Sequence, residues 1–179
     1  MAAPPDPTDL KNQLAFEMLM SDVSARLVAA PDQTLASTVE TALEETARFF
    51  GADRGDLLSV DAPRCEIRVL HAWHADTVES SDRGVPASSF AEHMPWAADL
   101  IVTKRQPLVM SALDELPPEA QRDRASFTAM GVRSAVWVPI AIGPDLRYML
   151  SIEATHREVP WPHSVVRRLP RLGESHGPA

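Results

Sequence analysis

Two histidines, His71 and His74, stand three residues apart, a spacing that metal sites use on helices. They belong to a run from Cys65 to His74 that reads as a β-strand, because apolar and polar residues alternate along it. Strand residues three apart point to opposite faces of a sheet, so a shared metal ion is not expected. Strict alternation would place on one face the side chains of Ile67, Val69, His71 and Trp73.

Nucleophilic and phosphoryl-transfer chemistry find little support in the residue patterns. Serine, histidine and aspartate all occur, but no Gly-x-Ser-x-Gly elbow is present. Only 7 glycines occur, and none form a phosphate-binding loop. Cys65 is the one cysteine, which excludes an internal disulfide and a multi-cysteine metal site. The sequence therefore predicts a chain without catalytic activity of its own.

Composition excludes several broad classes of function. The 179 residues carry 17 basic and 25 acidic side chains, a formal net charge of −8, which argues against a nucleic-acid platform. No apolar run approaches about 18 residues, and the start lacks the pattern of a secretory signal. We expect a cytoplasmic protein without a membrane span, built as one domain over residues 10–174 between flexible tails at 1–9 and 175–179.

The elements that must position any site follow from periodicity and from breaker residues. Two helices are expected first, at 10–29 and 33–50, because apolar residues recur at helical spacing and Pro31 separates the two stretches. An antiparallel hairpin follows, and shorter helices alternate with three more strands. The predicted strands are 56–61, 65–74, 108–110, 133–142 and 146–153. The later predicted helices are 95–105, which follows a short turn at 90–94, then 114–130 and a last one from Trp161.

In this order, several local patterns resemble a GAF domain of the type found at the front of bacterial sensor histidine kinases. The resemblance covers roughly residues 15–174, and the order and spacing of its motifs carry it more than any one motif. The motifs are Phe49-Phe50-Gly51-Ala52-Asp53-Arg54, His71-Ala72-Trp73, Met94-Pro95-Trp96, the run from Leu113 to Ala120, Gly131-Val132-Arg133-Ser134 leading to Val138-Pro139-Ile140, and Trp161 with Leu172-Gly173-Glu174.

The resemblance implies an α+β fold with a central antiparallel sheet. Terminal helices would cover one face of the sheet, and a ligand pocket roofed by the 86–130 segment would lie on the other. Trp73 and Trp96 fall in segments that the resemblance places around this pocket, and Ser151 and Glu153 are candidate polar anchors. The complete set of predicted pocket residues is Trp73, Trp96, His71, Met130, Ser151 and Glu153.

Cofactors are not expected from the residues that family members use to hold them. Bilin-binding relatives attach the chromophore to a cysteine in another local context, often beside a histidine, and Cys65 lacks that neighbour. His93 falls in the roof segment, where a haem-binding relative would offer an axial ligand, but a partly exposed histidine on a short turn explains it as well. The sequence thus argues against both haem and bilin.

The resemblance implies a regulatory input domain of bacterial two-component signalling. Such a domain would bind a small molecule, dimerise through its terminal helices and act on a histidine kinase or other output domain. It would be either part of a longer protein or a free-standing sensor. A second hypothesis is a dimeric spacer of the same fold without a ligand. A third, an enzyme such as the sulfoxide reductases that resemble the family, conflicts with the single cysteine.

Overall fold

The computed structural model describes residues 7–76, 78, 90–162 and 174–175. Its α-helices are α1 (Pro7–Ala29), α2 (Asp32–Phe50), α3 (Phe90–His93), α4 (Pro95–Ala98) and α5 (Gln121–Ala129). Its strands are β1 (Arg54–Asp61), β2 (Glu66–His74), β3 (Leu108–Met110), β4 (Ser134–Ile142), β5 (Asp145–Ala154) and the two-residue β6 (Glu174–Ser175).

The two long helices form the predicted hairpin, which breaks at Pro31 because proline disfavours helical backbone at the residue before it. α2 ends at Gly51, whose φ of 69° is left-handed and whose N–H bonds back to the last turn of the helix. α1 begins at Pro7, so residues 7–9 belong to this helix and not to the predicted N-terminal tail. Phe16 of α1 packs against the rings of both Phe49 and Phe50 at the end of α2.

The strands form an antiparallel sheet in the order β2-β1-β5-β4-β3, with β6 parallel to the end of β4. This arrangement confirms the predicted α+β class. The β4 strand is buried along most of its length, as its continuous apolar sequence predicts for a central strand covered on both faces.

Two separate cores cover the two faces of the sheet. The helix face, which α1 and α2 cover, buries residues that include Val136, Val138 and Ile152. The opposite face, called here the roof face, is covered by α3, α4 and α5 and buries Trp137 and Met149. Alternate residues of β4 and β5 therefore point to different cores, as the sequence predicts.

A β-bulge interrupts the β1–β2 pairing. Leu57 pairs with His71, whereas Leu58 pairs with Val69, so Leu70 is an extra residue on β2. Ile67 lies in the roof-face core, but after the bulge Trp73 packs on the helix-face core. The predicted strict alternation is therefore wrong beyond Leu70, because one inserted residue reverses the faces of the residues that follow.

The segment between β3 and β4 is less helical than predicted. In place of one helix over 114–130, two short 3₁₀ turns at Leu113–Glu115 and Pro118–Ala120 precede α5. Pro117 and Pro118 explain the break, because proline lacks an N–H donor and disfavours helical backbone at the residue before it. The last predicted helix lies outside the described residues apart from Trp161 and Pro162, which are not helical.

Candidate functional site

A cluster of buried polar side chains lies on the roof face where β1, β5 and β4 run side by side. Arg54 pairs with Glu153 and Asp56 with Ser151 across β1 and β5, and Ser151 in turn faces Trp137 of β4. Strand alternation turns all five side chains to the same face. Each of the five residues is at most 7% exposed, so the sheet brings two acids and one base into an interior position.

The Glu153 carboxylate is the centre of this cluster. Its Oε2 accepts a hydrogen bond from Nη1 of Arg54 at 2.8 Å, and its Oε1 accepts from Nε1 of Trp137 at 2.9 Å and Oγ of Ser151 at 3.0 Å. Three donors on one carboxylate hold its position rigidly. The rings of Phe90 and Phe127 then pack on Trp137, with centroids 6.0 and 5.2 Å away, so the cluster borders an apolar core.

Burial controls the electrostatics of Glu153. Loss of hydration raises its pKa above 4.5, and the nearby Asp56 charge raises it further, while Arg54 and the Trp137 hydrogen bond oppose the shift. Among the described residues, one guanidinium faces two carboxylates in this cluster, and the imidazole of His74 lies at its edge. A buried net negative charge is costly, so the arrangement favours a proton or another cation beside it.

His74 and Asp56 form the edge of the cluster nearest the surface. Nε2 of His74 lies 3.1 Å from Oδ1 of Asp56, and the two side chains are 21% and 10% exposed. Within the described part of the chain, this is the one hydrogen bond of either side chain, so Oδ2 of Asp56 and Nδ1 of His74 retain bonding capacity. Together they offer one acceptor and one ring nitrogen to a molecule outside.

The structure brings two predicted polar anchors together and places two further predicted residues nearby. Ser151 and Glu153 meet inside the cluster, as candidates for the same site should. Met130 belongs to the roof-face core, and Trp96 is partly buried and packs against it. Trp96 has its backbone N–H held by the buried carboxylate of Asp123, 3.2 Å away, and this carboxylate also accepts from the next N–H in α4.

His71 and Trp73 lie on the opposite face of the sheet from the other four predicted residues. The Trp73 ring packs against the helix-face core, and the Arg48 guanidinium of α2 lies over it, 5.4 Å from the ring centroid. His71 shares this face, since it is two residues before Trp73 on β2. These six residues therefore do not line one cavity, because the β2 bulge turns two of them away.

Arg54, Asp56, His74 and Trp137 belong to the cluster but were not among the predicted site residues. Arg54 and Asp56 flank Gly55, and charged residues at alternate positions of a buried strand are the signal that could have revealed them. The predicted strand started only at residue 56, which left Arg54 in the preceding turn. Alternation along the predicted strand separates Trp137 from Val136 without assigning either to a face, and the indole N–H of Trp137 meets its partner through the β4–β5 register.

Cys65 and His93, the two side chains weighed as cofactor ligands, lie away from the cluster. Cys65 sits in the β1–β2 turn with a left-handed φ of 52°, and partial burial raises its pKa. A reactive thiol requires the opposite shift, so the structure gives no support for redox chemistry there. His93 ends α3, and its carbonyl oxygen accepts a hydrogen bond from Oγ of Ser126 at 2.7 Å.

A shallow groove of about 340 Å³ separates the end of α1 from the start of α2. Its hydroxyl groups bond to carbonyls of their own helix or of Pro31; Thr38, for example, donates to the carbonyl of Thr34. Arg26 at its edge is paired with Asp22 and Glu45. The groove therefore has the features of a helix junction more than those of a binding site.

Comparison with solved structures identifies the fold as that of a GAF domain. The chromophore-binding domain of a Stigmatella aurantiaca bacteriophytochrome matches with a TM-score of 0.65 and 19% identity over 90% of this chain, which spans 58% of that domain. A phycocyanobilin-bound GAF domain from a cyanobacterial phytochrome matches with 0.64 and 19%, covering 89% of this chain and 94% of that one. A domain of a putative two-component sensor histidine kinase from Sinorhizobium meliloti 1021 matches with 0.54 and 14%, covering 78% and 86%.

No family model matches the sequence, and no curated protein matches it. The structural comparison thus confirms the resemblance at the level of the fold, and the neighbours named here are sensory domains. Among the described residues, none of the helices is both long and apolar enough to cross a membrane.

The prediction against a bilin cofactor is wrong. Bilin-bound GAF domains, with phycocyanobilin, phycoerythrobilin or biliverdin, are among the solved structures that share this fold. The prediction relied on the local context of Cys65, and that context says nothing about a chromophore held elsewhere or without a covalent bond. Those GAF domains hold bilins, so the surroundings of Cys65 are no ground for excluding one.

Proposed function

We propose that this chain is a cytoplasmic sensory input domain. In this proposal a small molecule binds beside the Arg54–Glu153 cluster on the roof face, and binding alters the packing of α1 and α2 that an output domain reads. The observation that supports it best is the cluster itself, a charged and hydrogen-bonded group at the edge of an otherwise apolar core. Ligand sites are commonly apolar with a few convergent polar groups.

The mechanism would be a shift between two arrangements of the helices that cover the sheet. A ligand changes that equilibrium only by the difference between its affinities for the two arrangements. Gly55 connects the faces, because α2 approaches β1 so closely there that a Cβ atom would lie 3.1 Å from the backbone oxygen of Leu43. Movement of β1 at Arg54 or Asp56 would therefore act directly on α2 through this contact.

Native mass spectrometry of the purified chain tests the ligand directly. We expect a small molecule to remain bound to the wild type and to be lost from Asp56→Asn, which removes the charge at the surface edge of the cluster. Asp145→Asn is the matched control, because Asp145 is exposed at the other end of β5 and, among the described residues, its side chain pairs with Arg147 alone. A chain that never carries or binds a small molecule in such spectra contradicts the proposal.

A bilin is one candidate ligand, and its chemistry can be compared with the residues present. Its pyrrole N–H groups would suit Oδ2 of Asp56 as an acceptor. Cys65 lies beyond the far end of the β1–β2 pair from Arg54, about 23 Å away at roughly 3.3 Å per strand residue. A bilin seated at the cluster would thus be held without a bond to Cys65. A change in the visible absorption band of biliverdin, relative to free biliverdin, that survives Cys65→Ser and is lost in urea would support this arrangement.

We further propose a homodimer formed through α1. Its buried residues Phe16 and Val23 face the rest of the domain, while a second row remains exposed at alternating spacings of four and three residues. This spacing is typical of a helix–helix seam, and the row is Leu14, Met18, Ser21, Ala25 and Val28.

The exposed row determines which variant tests the dimer. Val23 is 9% exposed, so a glutamate at that position would damage the core. Leu14→Glu with Met18→Glu places charge on the exposed row instead. We expect sedimentation equilibrium at tens of micromolar to give a dimer for the wild type and a monomer for this variant. A monomeric wild type contradicts the proposed dimer.

The alternative of a spacer without a ligand is favoured by one observation. Both carboxylate oxygens of Glu153 already accept hydrogen bonds from groups of the chain itself, as in a purely structural cluster. Either way we propose that the chain has no catalytic activity of its own and acts on a kinase or other output partner. Incubation with labelled ATP and magnesium should leave the protein unlabelled, and stoichiometric labelling would contradict this view.

A further inference from the structure

We infer that the site beside the cluster selects a ligand carrying a cationic nitrogen group, such as an amidinium or a protonated amine. The inference rests on the proposed sensory function and adds the chemical class of the ligand. The position assigned to the cation is the outer edge of the cluster, against Oδ2 of Asp56.

The charges of the described residues give the first argument. The Arg54 guanidinium lies 2.8 Å from Glu153, and among the described residues the partner of the second carboxylate, Asp56, is the imidazole of His74. Both carboxylates are nearly excluded from water, so their repulsion is poorly screened. A positive group placed beside Asp56 would balance the cluster, whereas an anion would add a third negative charge.

The geometry of the edge gives the second argument. The inner carboxylate has its oxygens occupied by Arg54, Trp137 and Ser151, so an incoming molecule cannot reach it without breaking those bonds. Asp56 uses one oxygen toward His74 and keeps the other, while its side chain remains 10% exposed. A carboxylate oxygen only accepts hydrogen bonds, so the group that meets it must be a donor.

Three probes of nearly the same shape separate charge from size. Acetamidinium is a cation, acetamide a neutral donor and acetate an anion. Each is titrated into the isotopically labelled 179-residue chain at constant ionic strength, while the imidazole signals of His74 and the indole N–H of Trp137 are followed by NMR. We expect acetamidinium to shift the His74 signals saturably in the millimolar range, acetamide to bind at least about tenfold more weakly, and acetate to give no saturable shift.

Substitutions at the edge of the cluster show where acetamidinium binds. Asp56→Asn should abolish the acetamidinium response, while the control Asp145→Asn, at the other end of β5, should keep it. If Asp56→Asn does not fold, His74→Gln with the indole signal as readout takes its place and should weaken binding without reversing the preference for the cation. Equal or tighter binding of acetate, no saturable response to acetamidinium, or an undiminished response in the substituted protein would each overturn the inference.

The outcome also distinguishes this inference from the proposed function. If native mass spectra show a bound neutral or anionic molecule while acetamidinium fails, the ligand class is wrong and the sensory function stands. If neither experiment finds a bound molecule, both the ligand class and the sensory function are contradicted.

Discussion

Arg54→Met is the substitution that tests the cluster most directly. The Arg54 side chain is fully buried and its partner Glu153 is 5% exposed, so removal of the guanidinium leaves a carboxylate in the interior without its cation. Breaking a buried pair from one side costs about 3–5 kcal/mol, and methionine retains most of the apolar stem, which limits the packing loss. Since domains of this kind are stable by about 5–15 kcal/mol, the variant should be strongly destabilised but still measurable.

Urea unfolding followed by tryptophan fluorescence at neutral pH gives the magnitude. With a slope of about 2 kcal/mol per molar urea, the midpoint should fall by about 1.5–2.5 M. The double variant Arg54→Met with Glu153→Gln should be more stable than Arg54→Met alone. The charge is then gone, while the glutamine oxygen still accepts from Trp137 and Ser151.

This comparison is the matched control for lost packing. A loss in Arg54→Met below about 1 kcal/mol would mean that Glu153 reaches water or a proton easily, since an unpaired buried charge costs more than that. If the stability loss of the double variant equals the sum of the losses of the two single variants, the two side chains do not interact, because a double-mutant cycle measures the coupling between them. Either result would refute the description of the cluster as a buried ion pair.

Three further predictions concern other residues of the fold. Burial raises the Glu153 pKa above 4.5, so the stability that its protonation contributes is fully present below pH 4.5 and is lost as the pH rises through the folded-state pKa. Urea unfolding of Glu153→Gln measured at several pH values should lack this decline. A pH profile equal to that of the wild type would contradict the raised pKa. Asp123→Ala should lower the free energy of unfolding by about 1–3 kcal/mol in the same assay, since two N–H groups of α4 lose their buried acceptor. Asp123→Asn should cost less, because the amide oxygen still accepts a hydrogen bond. Equal losses in the two variants would show that these hydrogen bonds do not stabilise α4. Gly55→Ala should cost about 1–3 kcal/mol, because the new methyl group would meet the backbone oxygen of Leu43 at 3.1 Å, and a neutral effect in thermal melts would show that α2 moves away freely.

The sequence by itself determined the elements whose signals are local. Periodicity and Pro31 predicted the α1–α2 hairpin, because helix formation and proline geometry depend on neighbours a few residues apart. The continuous apolar run of β4 predicted a strand buried on both faces, and alternation separated Trp137 from Val136 correctly. Ser151 and Glu153 were also found by alternation, since polar residues on a buried strand must have a partner.

Only the tertiary structure decided which residues share the site. Leu70 is an extra residue in β2, and the sequence gives no sign of this bulge. It reverses the faces of the residues that follow, so Trp73 lies on the helix face and His74 on the roof face. The partner of Glu153 is likewise fixed by register, because Arg54 is 99 residues away along the chain. Local patterns identify side chains that need a partner, but long-range pairing decides which partner and on which face, and hence where a ligand could meet the protein.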